Sequence, residues 1–184
     1  MIIPTSGAPI GRMVRPPASM EGERIMAKVL VAYFSATGTT ARVAKTLADA
    51  AGADLHEVAP ARPYSSADLN WNDRASRSSV EMRDESCRPE LAGDDVDLSG
   101  YDVVFVGFPV WWYVEPRIVD SFLEAHDFSG KTVVPFATSG GSGLGKAPER
   151  MQQLVPDATV RGGRRLSAGA SAAELASWVR ELGL

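Results

Sequence analysis

Cysteine is almost missing from this chain. There is one, Cys87, so no internal disulfide can form and a cysteine metal site lacks ligands. That thiol sits in the charged run "DESCRPE" with no catalytic base beside it, and its isolation fits a reducing cytoplasm. Histidine is scarce too: His56 falls in a strand-like stretch and His126 at the end of a helix-like one, and both read as structural. No apolar run approaches the ~20 residues of a membrane-crossing helix, which argues against a membrane partner. Excess basic charge is absent. Lys and Arg number 19 against 23 Asp and Glu, for a net charge of −4 and no basic stripe, which argues against nucleic-acid binding. Two nucleotide signatures are missing as well, the G-x-x-x-x-G-K-[ST] loop of NTP sites and the G-x-G-x-x-G of dinucleotide folds.

What remains is ordinary for one folded domain: 184 residues, 45% hydrophobic and 23% charged. The first 26 residues are rich in Pro, Gly and Ser, show no periodicity and lack the apolar centre of a secretory signal. With Met20 and Met26 both ahead of "MAKVLVAYF", we read 1–26 as a flexible leader or a start set too far upstream, and 27–184 as the domain.

"KVLVAYF" (28–34) and "YDVVFVGF" (101–108) are nearly continuous apolar runs, the pattern of strands buried on both faces in a parallel sheet. "TVVPFAT" (132–138) is a third strand, although Pro135 points to an edge or a bulge. "ADLHEVA" (53–59) is more polar and "ATVRGGRRL" (158–166) weaker still. Helical patterns lie between them. Val43, Ala44, Leu47, Ala48 and Ala51 form one stripe; Ile118, Val119, Phe122 and Leu123 form another behind Pro116. A short helix begins near Pro148. A last helix opens on "SAAE", with Ser171 and Glu174 at capping-box spacing, and buries Leu175, Trp178, Val179 and Leu182. Alternating strands and helices give an α/β fold with helices on both faces of a parallel sheet. One interruption, about forty residues over 60–100, is too long for an idle loop. It reads as a lid, a partner surface or a solvated excursion, with a short polar helix in "NDRASRSSVEMRDE".

Three segments carry chemistry, and each leaves a strand at the carboxyl edge of the sheet, where open α/β folds bind ligands. In "FSATGTT", Ser35, Thr37, Thr39 and Thr40 surround Gly38 as a strand becomes a helix. Capping needs one such hydroxyl; four suggest an anion held by neutral donors and a helix N-terminus. A terminal phosphate monoester suits that loop. "FPVWWYVEP" puts Trp111, Trp112 and Tyr113 in a row, and three aromatics cannot all face the core from one loop. At least one must pack inward, and the others offer a surface for something flat. "TSGGSGLG" (138–145) supplies a glycine-rich rim whose backbone can approach a ligand. A phosphate pocket, an aromatic wall and a polar rim together describe a planar heterocycle on a phosphorylated chain, with flavin mononucleotide (FMN) the obvious candidate.

On "YFSATGTT", "PYSSADLNWNDRASRSSVEM", "FPVWWYVEPRIVDSFLEAHDFSGKTVVPFATSGGSG" and "ASAAELASWVRELG", residues 28–184 resemble the bacterial short-chain flavodoxin family. The resemblance implies a doubly wound five-stranded parallel sheet in the order 2-1-3-4-5, FMN bound without a covalent link, and a low-potential electron-transfer role. Carried over by position, the phosphate loop falls on Ser35, Ala36, Thr37, Gly38, Thr39 and Thr40. The loop flanking the ring falls on Pro109, Val110, Trp111, Trp112 and Tyr113. The second ring loop falls on Thr138, Ser139, Gly140, Gly141 and Ser142, reaching Gly145. One departure matters: many electron-carrier flavodoxins place a second aromatic in that last loop, and here it is glycine and serine. One ring face is then open, or covered by the 60–100 segment or by a partner chain, which leaves a homodimer open.

An aromatic stack and nearby acids lower a flavin's potential, whereas an open face admits a nicotinamide or a quinone directly. Because neither ring loop carries a well-placed catalytic group, the leading reading is an electron carrier serving redox partner proteins, needing no catalytic side chain and no metal. The alternative is an NAD(P)H-dependent FMN oxidoreductase acting on quinones or similar small acceptors. A response-regulator domain shares the topology but needs an Asp at the end of the third strand, where this chain has "GFPV".

Overall fold

The near-continuous apolar runs lie at the middle of a parallel sheet, where helices cover both faces. In this computed structural model the described residues are 27–93 and 96–184; the expected leader, 1–26, lies outside them. The elements in chain order are β1 (Val29–Tyr33), α1 (Thr39–Ala51), β2 (Asp54–Glu57), α2 (Arg77–Arg83), β3 (Val103–Pro109) and α3 (Arg117–Ala125). They continue with β4 (Thr132–Thr138), α4 (Ala147–Leu154), β5 (Thr159–Val160), β6 (Arg164–Leu166) and α5 (Ala172–Glu181). The strand order is β2-β1-β3-β4-β5, all parallel, with β6 pairing β4 beyond β5. Among the described residues no helix is long and apolar enough to cross a membrane.

Alternation along each strand divides the core in two. Leu30, Ala32, Val104, Val106 and Val133 face α3 and α4, meeting Ile118, Phe122, Leu123 and Met151. Val31, Phe105, Val134 and Phe136 face α1 and α5, meeting Val43, Leu47, Leu175 and Trp178. These are the predicted stripes, with Leu182 packed at the margin of the second cluster. The capping box of α5 forms in both directions between Ser171 and Glu174. Pro116 precedes α3 as its N-cap rather than opening its first turn.

Pro135 causes neither an edge nor a bulge: β4 pairs with β3 along its whole length, Pro135 opposite Val106. Its missing donor points the other way. Val133 O accepts from the Arg161 N–H at 2.9 Å, and a residue two positions on faces the same neighbour. There the fifth strand breaks between Val160 and Arg164, and Gly163 (φ 70°) passes so close that a Cβ would sit 2.3 Å from Pro135 O. The weak strand expected over 158–166 is thus two short strands around that gap.

The 60–100 segment is not a solvated excursion. An antiparallel bridge between Pro60 and Leu91 pinches its base, and α2 lies half-buried within it. Side-chain contacts fix its place. Tyr64 Oη donates to Glu81 Oε2 at 2.5 Å, Arg77 Nε to Glu81 Oε1 at 2.6 Å, and the Arg77 guanidinium covers the Tyr64 ring. Arg117 Nη2 reaches Met82 O at 3.2 Å, and Arg88 forks onto Glu124 of α3 at 2.8 and 2.7 Å.

Candidate functional site

A cavity of about 450 Å³ opens at the carboxyl edge of the sheet, within the range of small-molecule sites. Four segments line it: Ala36 and Thr37 after β1; Pro109, Val110, Trp111, Trp112 and Tyr113 at the end of β3; Ser142 after β4; and Leu69, Trp71 and Ser78 from the β2–β3 segment. The three predicted segments therefore meet, but unequally.

In the hydroxyl loop, Gly38 takes the left-handed conformation (φ 87°) that a side chain would strain, and α1 has neither a side-chain cap nor an acidic residue in its first turn. The first intrahelical bond runs from Arg42 N–H to Gly38 O at 3.2 Å, leaving the amides of Thr39, Thr40 and Ala41 ahead of the ladder. These amides and the side chain of Thr37 suit an anion and offer no competing carboxylate. The other hydroxyls are divided. Ser35 Oγ accepts from the Gly38 N–H at 3.1 Å and shapes the turn. Thr40 is buried and bonds Thr138 across 2.8 Å, so this predicted pair joins α1 to β4 rather than lining the cavity.

The aromatic run divides as its geometry demands. Trp111 packs inward, edge-on to Phe34 and Tyr64, while one side still meets the cavity. Its backbone exchanges both hydrogen bonds with Val114 (3.0 and 3.1 Å), which makes Trp112 and Tyr113 the centre of a two-residue turn. Both have positive φ, 47° and 69°, where Asn-Gly is the usual choice. Two aromatics held there, 45% and 73% exposed, are strained outward rather than packed.

Of the glycine-rich rim, Ser142 reaches the cavity. Ser139 donates to Ser142 O and accepts from the Gly141 N–H, closing the loop on itself around Gly140. Gly145 (φ 57°) has a different task from the one expected: a Cβ there would lie 2.1 Å from Tyr113 O. It lets this loop pass beneath the aromatic turn and does not line the cavity.

The sequence model of the flavodoxin family matches residues 28–182. The chain belongs to the flavodoxin family. Two Bacteroides proteins provisionally assigned as flavoproteins are similar throughout. That of B. eggerthii DSM 20697 is 48% identical with a TM-score of 0.81, over 86% of this chain and 99% of that one. That of B. uniformis ATCC 8492 is 49% identical with a TM-score of 0.80, over 84% and 98%. A flavoprotein of Lactobacillus acidophilus NCFM, crystallised in complex with FMN, shares the fold at 22% identity and a TM-score of 0.61, over 83% and 98%. No curated protein matches.

Within this family member, three cavity residues escaped sequence reasoning: Leu69, Trp71 and Ser78. "DLNWNDRASRSS" holds no periodicity that would aim them, although a Trp amid polar residues was a signal. A second feature also escaped it. Directly after the aromatic turn, Glu115 is fully buried with Asp120, beside Arg117 and Arg150. Arg150 Nε donates to Glu115 Oε1 at 2.8 Å. Burial, with the charge of Asp120 adding to it, pushes the Glu115 carboxyl up to about 7; burial raises Asp120 also. Glu115 Oε2 and Asp120 Oδ1 are buried without a hydrogen-bond partner among the described residues, which leaves each carboxyl half satisfied. Neither lines the cavity. His56 and His126 lie apart from it around Phe122, His126 Nδ1 bonding Phe122 O at 2.8 Å.

Proposed function

We propose that this chain binds FMN non-covalently and serves as a low-potential electron-transfer protein for redox partner proteins. The observation that carries the reading is the convergence, in one cavity, of an uncapped helix start among hydroxyls with a turn strained to present two aromatics. Bound flavin supplies the redox chemistry; the protein supplies binding, orientation and access. The donor set fits a phosphate dianion: backbone amides of residues 39–41 and the Thr37 and Thr39 hydroxyls, without a carboxylate in the first turn. Trp112 and Tyr113 offer flat apolar faces for a ring, while Trp111 stiffens the wall behind them. The FMN complex of the L. acidophilus relative supports the choice of cofactor. Among the described residues, none that lines the cavity is a carboxylic acid, histidine, lysine or cysteine, which suits transfer of electrons without a protein acid or base.

A second reading, an NAD(P)H-dependent oxidoreductase of quinones, draws support from one feature: the loop after β4 gives the cavity Ser142 and no aromatic, which suits access by a second planar molecule. Steady-state kinetics separates the two. The carrier reading predicts no NADPH oxidation by the FMN-loaded protein with a quinone unless a reductase is added. Rapid turnover without one would replace it with the enzyme reading.

A further inference from the structure

Ser78 is 2% exposed and its Oγ has no hydrogen-bond partner among the described residues, yet the residue lines the cavity. Its neighbours are accounted for. Ser76 Oγ bonds Ser79 Oγ at 2.9 Å and accepts from the Ser79 N–H at 3.3 Å, so those two hydroxyls cap α2 internally. A buried hydroxyl with nothing to bond is unfavourable, and native proteins rarely keep one without a use. This one is also held firmly, because α2 is anchored on both sides: Glu81 takes bonds from Tyr64 and Arg77, and Met82 O accepts from Arg117. A firmly held, unpartnered hydroxyl on a residue that lines a largely apolar pocket is the kind of polar group that orients a ligand.

We propose that Ser78 is a cofactor-contacting residue whose hydroxyl hydrogen-bonds the bound FMN, making the β2–β3 segment a built part of the flavin site. The inference rests on the FMN reading above. It assigns the third wall of the cavity, where Leu69 and Trp71 supply apolar surface and Ser78 the polar contact. It also explains why so polar a stretch of chain is pinned against the sheet.

The test compares Ser78→Ala with Ser79→Ala, reading FMN affinity by quenching of flavin fluorescence and the melting temperature of each apo-protein. Ser78→Ala removes a hydroxyl unused by the apo-protein, so its melting temperature stays the same or rises while the Kd for FMN increases about three- to tenfold. Ser79→Ala deletes the buried bond from the Ser76 hydroxyl, so its melting temperature falls while FMN affinity stays within about twofold. An unchanged FMN affinity in Ser78→Ala overturns the assignment, even if turnover of a small acceptor changes. A loss of affinity matched by a loss of apo-protein stability marks a packing effect and overturns it too. If the unsubstituted protein itself fails to bind FMN, the reading beneath the assignment falls with it.

Discussion

Trp111 meets Tyr64 edge-on, ring centroids 5.3 Å apart and planes at 83°, and both rings close on Phe34 at 5.6 and 5.7 Å. An aromatic at the end of β3 is thus clamped by one from the segment after β2, each contact adding about 0.5–1.5 kcal/mol to the burial. The clamp depends on the Tyr64 hydroxyl, which donates to Glu81. Tyr64→Phe keeps the rings and deletes that bond to a carboxylate, and should cost about 1.5–3 kcal/mol. Urea unfolding measures the loss, and amide exchange should quicken over 60–92 ahead of the sheet. An unchanged unfolding midpoint would show that the clamp does not rest on that bond.

The aromatic turn trades stability for presentation. Tyr113 has φ 69° and is 73% exposed, so it bears conformational strain with little burial in return. Tyr113→Gly relieves about 1–2 kcal/mol of left-handed strain and returns part of it as unfolded-chain entropy. The apo-protein should gain up to about 1 kcal/mol by thermal or urea unfolding, while FMN binds more weakly. Loss of stability in this variant would contradict the strain argument.

The buried carboxyl pair gives stability a pH dependence of defined sign. Glu115 holds its proton up to about 7 when folded, against an ordinary value of 4.5. Between those values the folded chain binds the extra proton, so this contribution falls as pH rises from about 4.5 to about 7. Asp68, Asp84, Asp97, Asp127 and Glu174 act in the opposite sense. Hydrogen bonds from nearby serines lower them, and their contribution is lost as pH falls through the acid range. In Glu115→Gln the decline between pH 4.5 and 7 should flatten, whatever the overall stability. The same slope in both proteins would place the proton elsewhere.

Much of this was legible along the chain, for local reasons. The runs ending in Tyr33 and Pro109 announce buried parallel strands, and Gly38 among hydroxyls announces a strand-to-helix turn. The spacing of Ser171 and Glu174 announces a cap. What escaped was set by distant partners. Thr40 looks like its loop neighbours until Thr138, 98 residues on, takes its hydroxyl. Gly145 looks like a flexible rim until Tyr113 O is found against it. Leu69, Trp71 and Ser78 reach the cavity because Tyr64 bonds Glu81 and Arg88 bonds Glu124, 17 and 36 residues away. No periodicity in a polar stretch encodes such placement.

The central claim is that neutral donors where β1 gives way to α1 hold the phosphate of FMN beside the aromatic turn. Titrating the apo-protein with FMN, followed by fluorescence and visible absorption, tests it most directly, with the Thr37→Ala, Thr39→Ala double variant alongside. The account predicts a yellow protein binding one FMN per chain, and weaker binding in the variant by roughly 1.5–3 kcal/mol for each lost bond to the phosphate. A colourless protein that leaves FMN fluorescence untouched would contradict the account, and a double variant of unchanged affinity would move the phosphate out of this loop.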